Sequence, residues 1–117
     1  MANDKKTIGI TKSNAAMLND FISAGYFGSE LDAAKFAMAY AIKMGTKAGS
    51  ADGAETKWNV GSVDPDGTIK AVLEAFYSDV AEPYRLLEYL MNEGIKMLSS
   101  TPAGTFDIYD TLFSEKA

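Results

Sequence analysis

The feature that most constrains this chain is a short apolar-alternating segment set directly against two helical ones. In Thr7-Ile8-Gly9-Ile10-Thr11 the two isoleucines fall on one face, and Thr7, Gly9 and Thr11 fall on the other. That pattern predicts a strand with one buried face. A single strand of this length is not stable in water, and no other segment reads as its mate. The sequence therefore predicts that the same strand of another subunit pairs with it. Helical spacing follows at once over Ser13 to Ala24, with Met17, Leu18, Phe21 and Ile22 on one stripe and Ser13 or Asn14 as N-cap. Gly25 ends that helix. Ser29 and Asp32 form a capping-box-like start for a second helix, Glu30 to Gly45. The second helix carries Leu31, Ala34, Ala37, Met38, Ala41 and Ile42 on one face, while Phe36 and Tyr40 widen its apolar surface. So wide an apolar surface on so short a unit predicts an oligomer, a homodimer or homotetramer, with Ile8, Ile10, Phe36, Met38, Tyr40 and Ile42 at its interface.

Composition narrows the chemistry. The 117 residues are 47% hydrophobic, enough for one modest domain. Histidine and cysteine are both absent, which removes zinc fingers, thiol or imidazole catalysis, a serine–histidine–aspartate triad and disulfides. No window approaches the ~18 apolar residues of a membrane span, and the first residues lack an apolar signal segment, so the expectation is a soluble cytoplasmic protein with no membrane contact. The net charge of −5 is uneven. Residues 1–48 hold six lysines against four acids, a net +2; residues 49–117 hold five basic residues against twelve acids, a net −7. A basic N-terminal part suits a polyanion and an acidic remainder does not, although chance variation on a solvated surface gives the same balance.

The rest of the chain reads as a loop, a helical pair and a tail. Residues 46–63 are rich in small and polar residues, and Lys47 to Lys57 has neither a helical nor a strand period, which predicts a mobile loop pinned at its far end by Trp58 and Val60. Asp64-Pro65 predicts a helix start, with Ile69, Val72, Leu73, Phe76, Tyr77 and Val80 at helical spacing behind it. A fourth helix opens near Glu82-Pro83, is lined by Leu87, Leu90, Met91, Ile95 and Leu98, and ends at Thr101-Pro102. Gly94 in its interior predicts a close helix contact. The tail carries Phe106, Ile108, Tyr109, Leu112 and Phe113, too apolar a set for solvent alone, and is expected to pack on the body or on a neighbouring subunit.

Few residues offer chemistry. Asp64-Pro65-Asp66-Gly67 has the look of half a calcium loop, but it lacks the further oxygen ligands and the closing glutamate, and a helix cap accounts for it. No phosphate-binding glycine motif is present, and acid pairs such as Glu88 with Glu93 and Asp107 with Asp110 have no histidine beside them. No catalytic residue, metal or cofactor is expected, and the six methionines read as core filler.

The order strand, helix, glycine turn, helix over Thr7 to Gly45, and the segment from Leu18 to Ser29 within it, resembles the ribbon-helix-helix family of small dimeric DNA-binding proteins. That resemblance implies two antiparallel strands laid in the major groove, where base edges are distinguishable. Thr7, Gly9 and Thr11 would then face the bases, with Lys5, Lys6 and Lys12 supplying phosphate contacts. It also implies a phosphate held at the start of the second helix by Gly28 and Ser29, next to Glu30 and Asp32, acids that stabilise a helix start on their own. Across most of the chain, the order of elements ending in Asn92-Glu93-Gly94-Ile95-Lys96-Met97-Leu98 is similar to the small accessory protein of bacterial DNA phosphorothioation systems. That family implies a compact oligomer associated with nicked DNA.

The expected fold is a mainly α-helical single domain with one short N-terminal strand and about four helices: a ribbon-helix-helix-like unit at 1–46, a loop at 47–63, a helical pair at 64–100 and a tail at 101–117. The expected function is that of a small non-enzymatic DNA-associated protein, a regulator or an accessory factor. The alternative is a ribbon-helix-helix-derived oligomeric scaffold that binds only protein, with the acidic C-terminal half as the partner surface.

Overall fold

The computed structural model describes residues 4–99. In chain order the elements are β1 (Thr7–Thr11), α1 (Lys12–Ser23), α2 (Glu30–Lys43), β2 (Ala54–Asn59), the single turn α3 (Val60–Val63), α4 (Thr68–Phe76) and α5 (Pro83–Ser99). Helix makes up 58% of the described residues and strand 11%. Five helices around a two-stranded antiparallel sheet make a small mixed α/β protein, which corrects the expected mainly α fold with a ribbon-helix-helix unit. The expected packing of Thr105 to Phe113 lies outside the described residues.

The correction turns on β2. β1 finds its mate inside the chain, pairing Thr7 with Asn59, Ile8 with Trp58, Gly9 with Thr56, Ile10 with Glu55 and Thr11 with Ala54. Part of the segment read as a mobile loop is thus a strand. Its register slips between Ile8 and Gly9, so Lys57 is an extra residue and the partners of Ile8 and Ile10, Trp58 and Glu55, stand three apart. A bulge of this kind breaks the period of two that identifies a strand. Most of β2 is also solvent-exposed, so little apolar patterning marks it. Gly9 makes the close approach of the strands possible: a Cβ there would lie 2.8 Å from the Glu55 carbonyl oxygen.

The second edge of β1 is closed by α5 rather than by a strand. The buried Glu88 accepts from the Gly9 amide at 2.8 Å, and its carboxylate pairs with Lys5 Nζ at 3.2 Å. One turn later the buried Asn92 donates to the Gly9 carbonyl at 3.1 Å and accepts from the Thr11 amide at 2.9 Å and from Asn14 Nδ2 at 2.9 Å. An i, i+4 pair on one helix face thereby satisfies the edge that an intersubunit ribbon would otherwise occupy. Ile8 and Ile10 turn inward, 0% and 2% exposed.

Behind this seam α5 packs on α2. A Cβ at Gly94 would overlap the Ala37 carbonyl, so glycine sets how closely the two helices approach. Ala33, Ala34, Ala37 and Ala41 on α2 are buried, as are Leu87, Leu90, Met91 and Ile95 on α5. α1 adds Leu18 and Phe21, and the Phe27 ring bridges Phe21 and Phe36 with centroids 6.2 and 5.2 Å away.

Four helix starts are capped by side chains. Thr11 Oγ1 accepts from the Asn14 amide at 3.3 Å at the head of α1, in place of the expected Ser13 or Asn14, and Ser29 Oγ accepts from the Asp32 amide at 3.1 Å at the head of α2. Asp64 accepts from the amides of Ile69 and Lys70 at 2.9 and 3.0 Å in the first turn of the expected third helix, but the N-cap position is Gly67 rather than the expected Asp64, and Pro65 lies before the helix. The helix itself begins at Thr68, after a turn through Gly67 at φ +76°. Asp4 accepts from the amides of Tyr84 and Arg85 at 2.8 and 3.0 Å, holding the residues before β1 against the first turn of α5. Carboxylates at these positions favour the positive end of the helix dipole.

Candidate functional site

The residues expected at a DNA surface are dispersed or already engaged. The Gly9 amide and carbonyl are committed to Glu88 and Asn92, Thr11 caps α1, and Thr7 Oγ1 lies 3.4 Å from Thr56 Oγ1 of the neighbouring strand. Ser29 is occupied as a cap, and Gly28 stands beside the Asp32 carboxylate. Lys5 is tied to Glu88, and Lys6 and Lys12 flank opposite ends of β1. The residues expected at an oligomer interface sit mostly in the chain's own core: Ile8, Ile10, Phe36 and Met38 are buried, and Tyr40 and Ile42 are partly buried against them.

Lys5 and Lys6 do share a groove of about 580 Å³ with Lys70, where the residues before β1 meet α3, α4 and the start of α5. Asp4 and Glu74 line the same groove and offset part of its positive charge. Tyr84 closes it. Burial, then a hydrogen bond to Asp64 at 2.8 Å and the nearby carboxylates, pushes the Tyr84 hydroxyl up to about 12.

A different surface stands out for its exposed apolar area. α4 is apolar at Ile69, Val72, Leu73 and Phe76, yet only Leu73 is buried. Phe76 is 66% exposed, and Val72 stands beside it on the same helix at 36%. With Met38, Ala39, Ile42 and Lys43 of α2 they line an open groove of about 500 Å³. Ile42 and Phe76 continue into an adjoining lobe of about 380 Å³ with Gly45, Thr46, Lys47, Ala48 and Tyr77. The Tyr77 hydroxyl donates to the Thr46 carbonyl at 2.6 Å and fixes that lobe's wall, and burial raises its pKa. Thr46 Oγ1 is buried without a hydrogen-bond partner. Met44, 44% exposed, follows directly on α2.

The helical pattern of α4 is plain in the sequence. Its partial burial is not, because spacing shows which residues share a face and not whether anything covers that face. Among the described residues no group of three or more acids could hold a metal ion, and no helix is long and apolar enough to cross a membrane. No protein-family model, curated protein or solved structure matches the chain.

Proposed function

We propose that this chain is a non-enzymatic interaction protein whose α2–α4 groove docks an apolar helix of a protein partner. The observation that carries this reading is Phe76: a phenylalanine two-thirds exposed, next to Val72 and over an apolar floor from α2. Monomeric proteins seldom leave contiguous apolar area bare, and clustered exposure of this kind marks interfaces. The groove is open to solvent rather than enclosed, which suits a helix laid along it better than a buried small molecule. A second copy of the chain is one partner this surface could take, giving a homodimer or homotetramer. The argument for an oligomer from an unpaired strand falls away, because β1 is paired within the chain.

The test is photo-crosslinking in the native cell with a benzophenone amino acid at position 76, and at exposed Glu55 of β2 as control. A discrete adduct from position 76 and none from position 55 is the expected result. Equal, diffuse labelling from both positions would remove the reading.

DNA association is a second reading, favoured by the shared groove of Lys5, Lys6 and Lys70 and by the resemblance to phosphorothioation accessory proteins. Binding of this kind is electrostatic, with a salt slope of about −0.9 per phosphate contact. Anisotropy with intact, nicked and single-stranded DNA across a salt series tests it, and Lys6→Glu with Lys70→Glu should abolish any binding seen. Absence of binding at low salt ends this reading.

A further inference from the structure

We infer that the segment the α2–α4 groove takes is an amphipathic helix with acidic flanks, seated so that a carboxylate reaches Thr46 and Lys47. The inference rests on the docking reading of the groove and adds the partner's charge and the end at which that charge lies. The isolated chain keeps the groove open, with Phe76 in solvent. Met38, Ala39 and Val72 line only the first lobe, Thr46, Lys47 and Tyr77 line only the second, and Ile42 and Phe76 line both. The charged residues on these walls are both lysines, Lys43 and Lys47. Asp79 lines a neighbouring hollow with Ser78 and Val80 rather than either lobe. The sequence here is of one sign: between Asp32 and Asp52 stand Lys35, Lys43 and Lys47 and no acid, in a chain whose net charge is −5. Lys35 has Asp66 near it, and Lys43 also suits the negative end of the α2 dipole. Lys47 lies four residues past that helix, is exposed, and forms no salt bridge among the described residues. A basic rim on an acidic protein selects its partner by charge.

Thr46 supplies an independent observation. Its hydroxyl oxygen is buried with no hydrogen-bond partner, whereas buried polar groups are nearly always paired. The Tyr77 hydroxyl donates to the Thr46 carbonyl at 2.6 Å and holds the main chain in place. The threonine hydroxyl still turns about χ1 and about its own C–O bond, so it can donate to an acceptor that arrives in the lobe. A carboxylate answers both neighbours at once: it accepts from Thr46 and pairs with the Lys47 ammonium. A neutral amide answers only the first, and a basic side chain is repelled by the second.

The probe is a display library of single helices. Leucine, isoleucine, methionine or phenylalanine fills a stripe at i, i+3, i+4 and i+7, and glutamate, lysine, glutamine or alanine fills every other position in equal share. Selection is on the full chain, with counterselection on Phe76→Ser. Glutamate is expected to outnumber lysine beside the stripe by at least about threefold. Selection on Lys47→Glu, a change at an exposed position, is expected to abolish that excess. A recovered acidic helix should bind Thr46→Val, which keeps the side chain's shape, at least about threefold more weakly by fluorescence anisotropy. Equal recovery of glutamate and lysine overturns the inference, as does the same glutamate excess on Lys47→Glu. Undiminished binding to Thr46→Val overturns the seating of the carboxylate. Each of these failures leaves the docking reading standing, because the recovered helices still depend on Phe76. Failure to recover any Phe76-dependent helix overturns both.

Discussion

The Asn92 side-chain amide donates to the Gly9 carbonyl at 3.1 Å while its oxygen accepts from the Thr11 amide at 2.9 Å, so one residue of α5 serves two successive edge positions of β1. Replacing it with an isosteric apolar residue strands both edge groups. Asn92→Leu leaves the Gly9 carbonyl and the Thr11 amide without this partner, while Asn14 Nδ2 keeps its bond to the Asn92 main-chain carbonyl at 3.1 Å. At ~1–3 kcal/mol for each unsatisfied group, the loss should reach at least about 2 kcal/mol. Urea denaturation followed by far-UV circular dichroism measures it; a change below about 1 kcal/mol would show that water replaces the lost bonds.

Gly9→Ala tests the approach of the strands. The new Cβ meets the Glu55 carbonyl oxygen at 2.8 Å, a backbone atom that cannot rotate away. A cost of about 1–3 kcal/mol is expected, the range for overpacking a fitted site. Amide exchange should quicken in β1 and β2 more than in α2. Unchanged protection in both strands would contradict the register.

Leu73 and Phe76 should respond oppositely to their sizes. Leu73 is fully buried, and Leu73→Ala should cost about 2–5 kcal/mol. Phe76 is the larger side chain but stands largely in solvent, so Phe76→Ser should change stability by less than about 1 kcal/mol. The comparison is two urea midpoints. Destabilisation by Phe76→Ser as large as that by Leu73→Ala would mean that the aromatic ring is covered in solution.

Tyr84 carries a pH dependence. Its hydroxyl is held up to about 12 by burial and by the Asp64 carboxylate, above the usual value of 10.0. The stabilisation is complete below pH 10, where the phenol is protonated in both the folded and unfolded chain. It is lost as pH rises from about 10 to about 12, because the unfolded chain releases its proton first. Tyr84→Phe should flatten that part of the stability curve. Tyr77, whose pKa burial also raises, leaves a smaller alkaline slope in the variant. An unaltered slope in Tyr84→Phe would refute the assignment.

Helices were readable in the sequence where one apolar stripe meets a clear cap. Ser29 before α2, Asp64 before α4 and Pro83 at the start of α5 each mark a boundary within a few residues of its place. β2 was not readable. It is paired on one edge only, is mostly exposed, and is thrown out of period by the extra Lys57. Missing it cost the fold class, since an unmated β1 led directly to an intersubunit ribbon. Glu88 and Asn92 were overlooked for a related reason: a carboxylate and an amide in a helix read as solvated until the strand edge that they serve is in place. The Val72–Phe76 surface was half legible, its stripe visible and its exposure not.

The stitching of β1 to α5 also dictates an order of events during synthesis. The bonds from Gly9 and Thr11 to Glu88 and Asn92 span 79 to 83 residues of chain. β2 comes roughly midway, so the strand made earlier of the two is the element that waits longest for its complement. Contacts this distant in sequence slow the search for the native state. Until α5 emerges, Ile8 and Ile10 lie beside an open strand edge, the kind of surface on which nascent chains associate wrongly or recruit chaperones. A nascent chain arrested before Pro83 holds every residue of β1 and none of the helix that closes it.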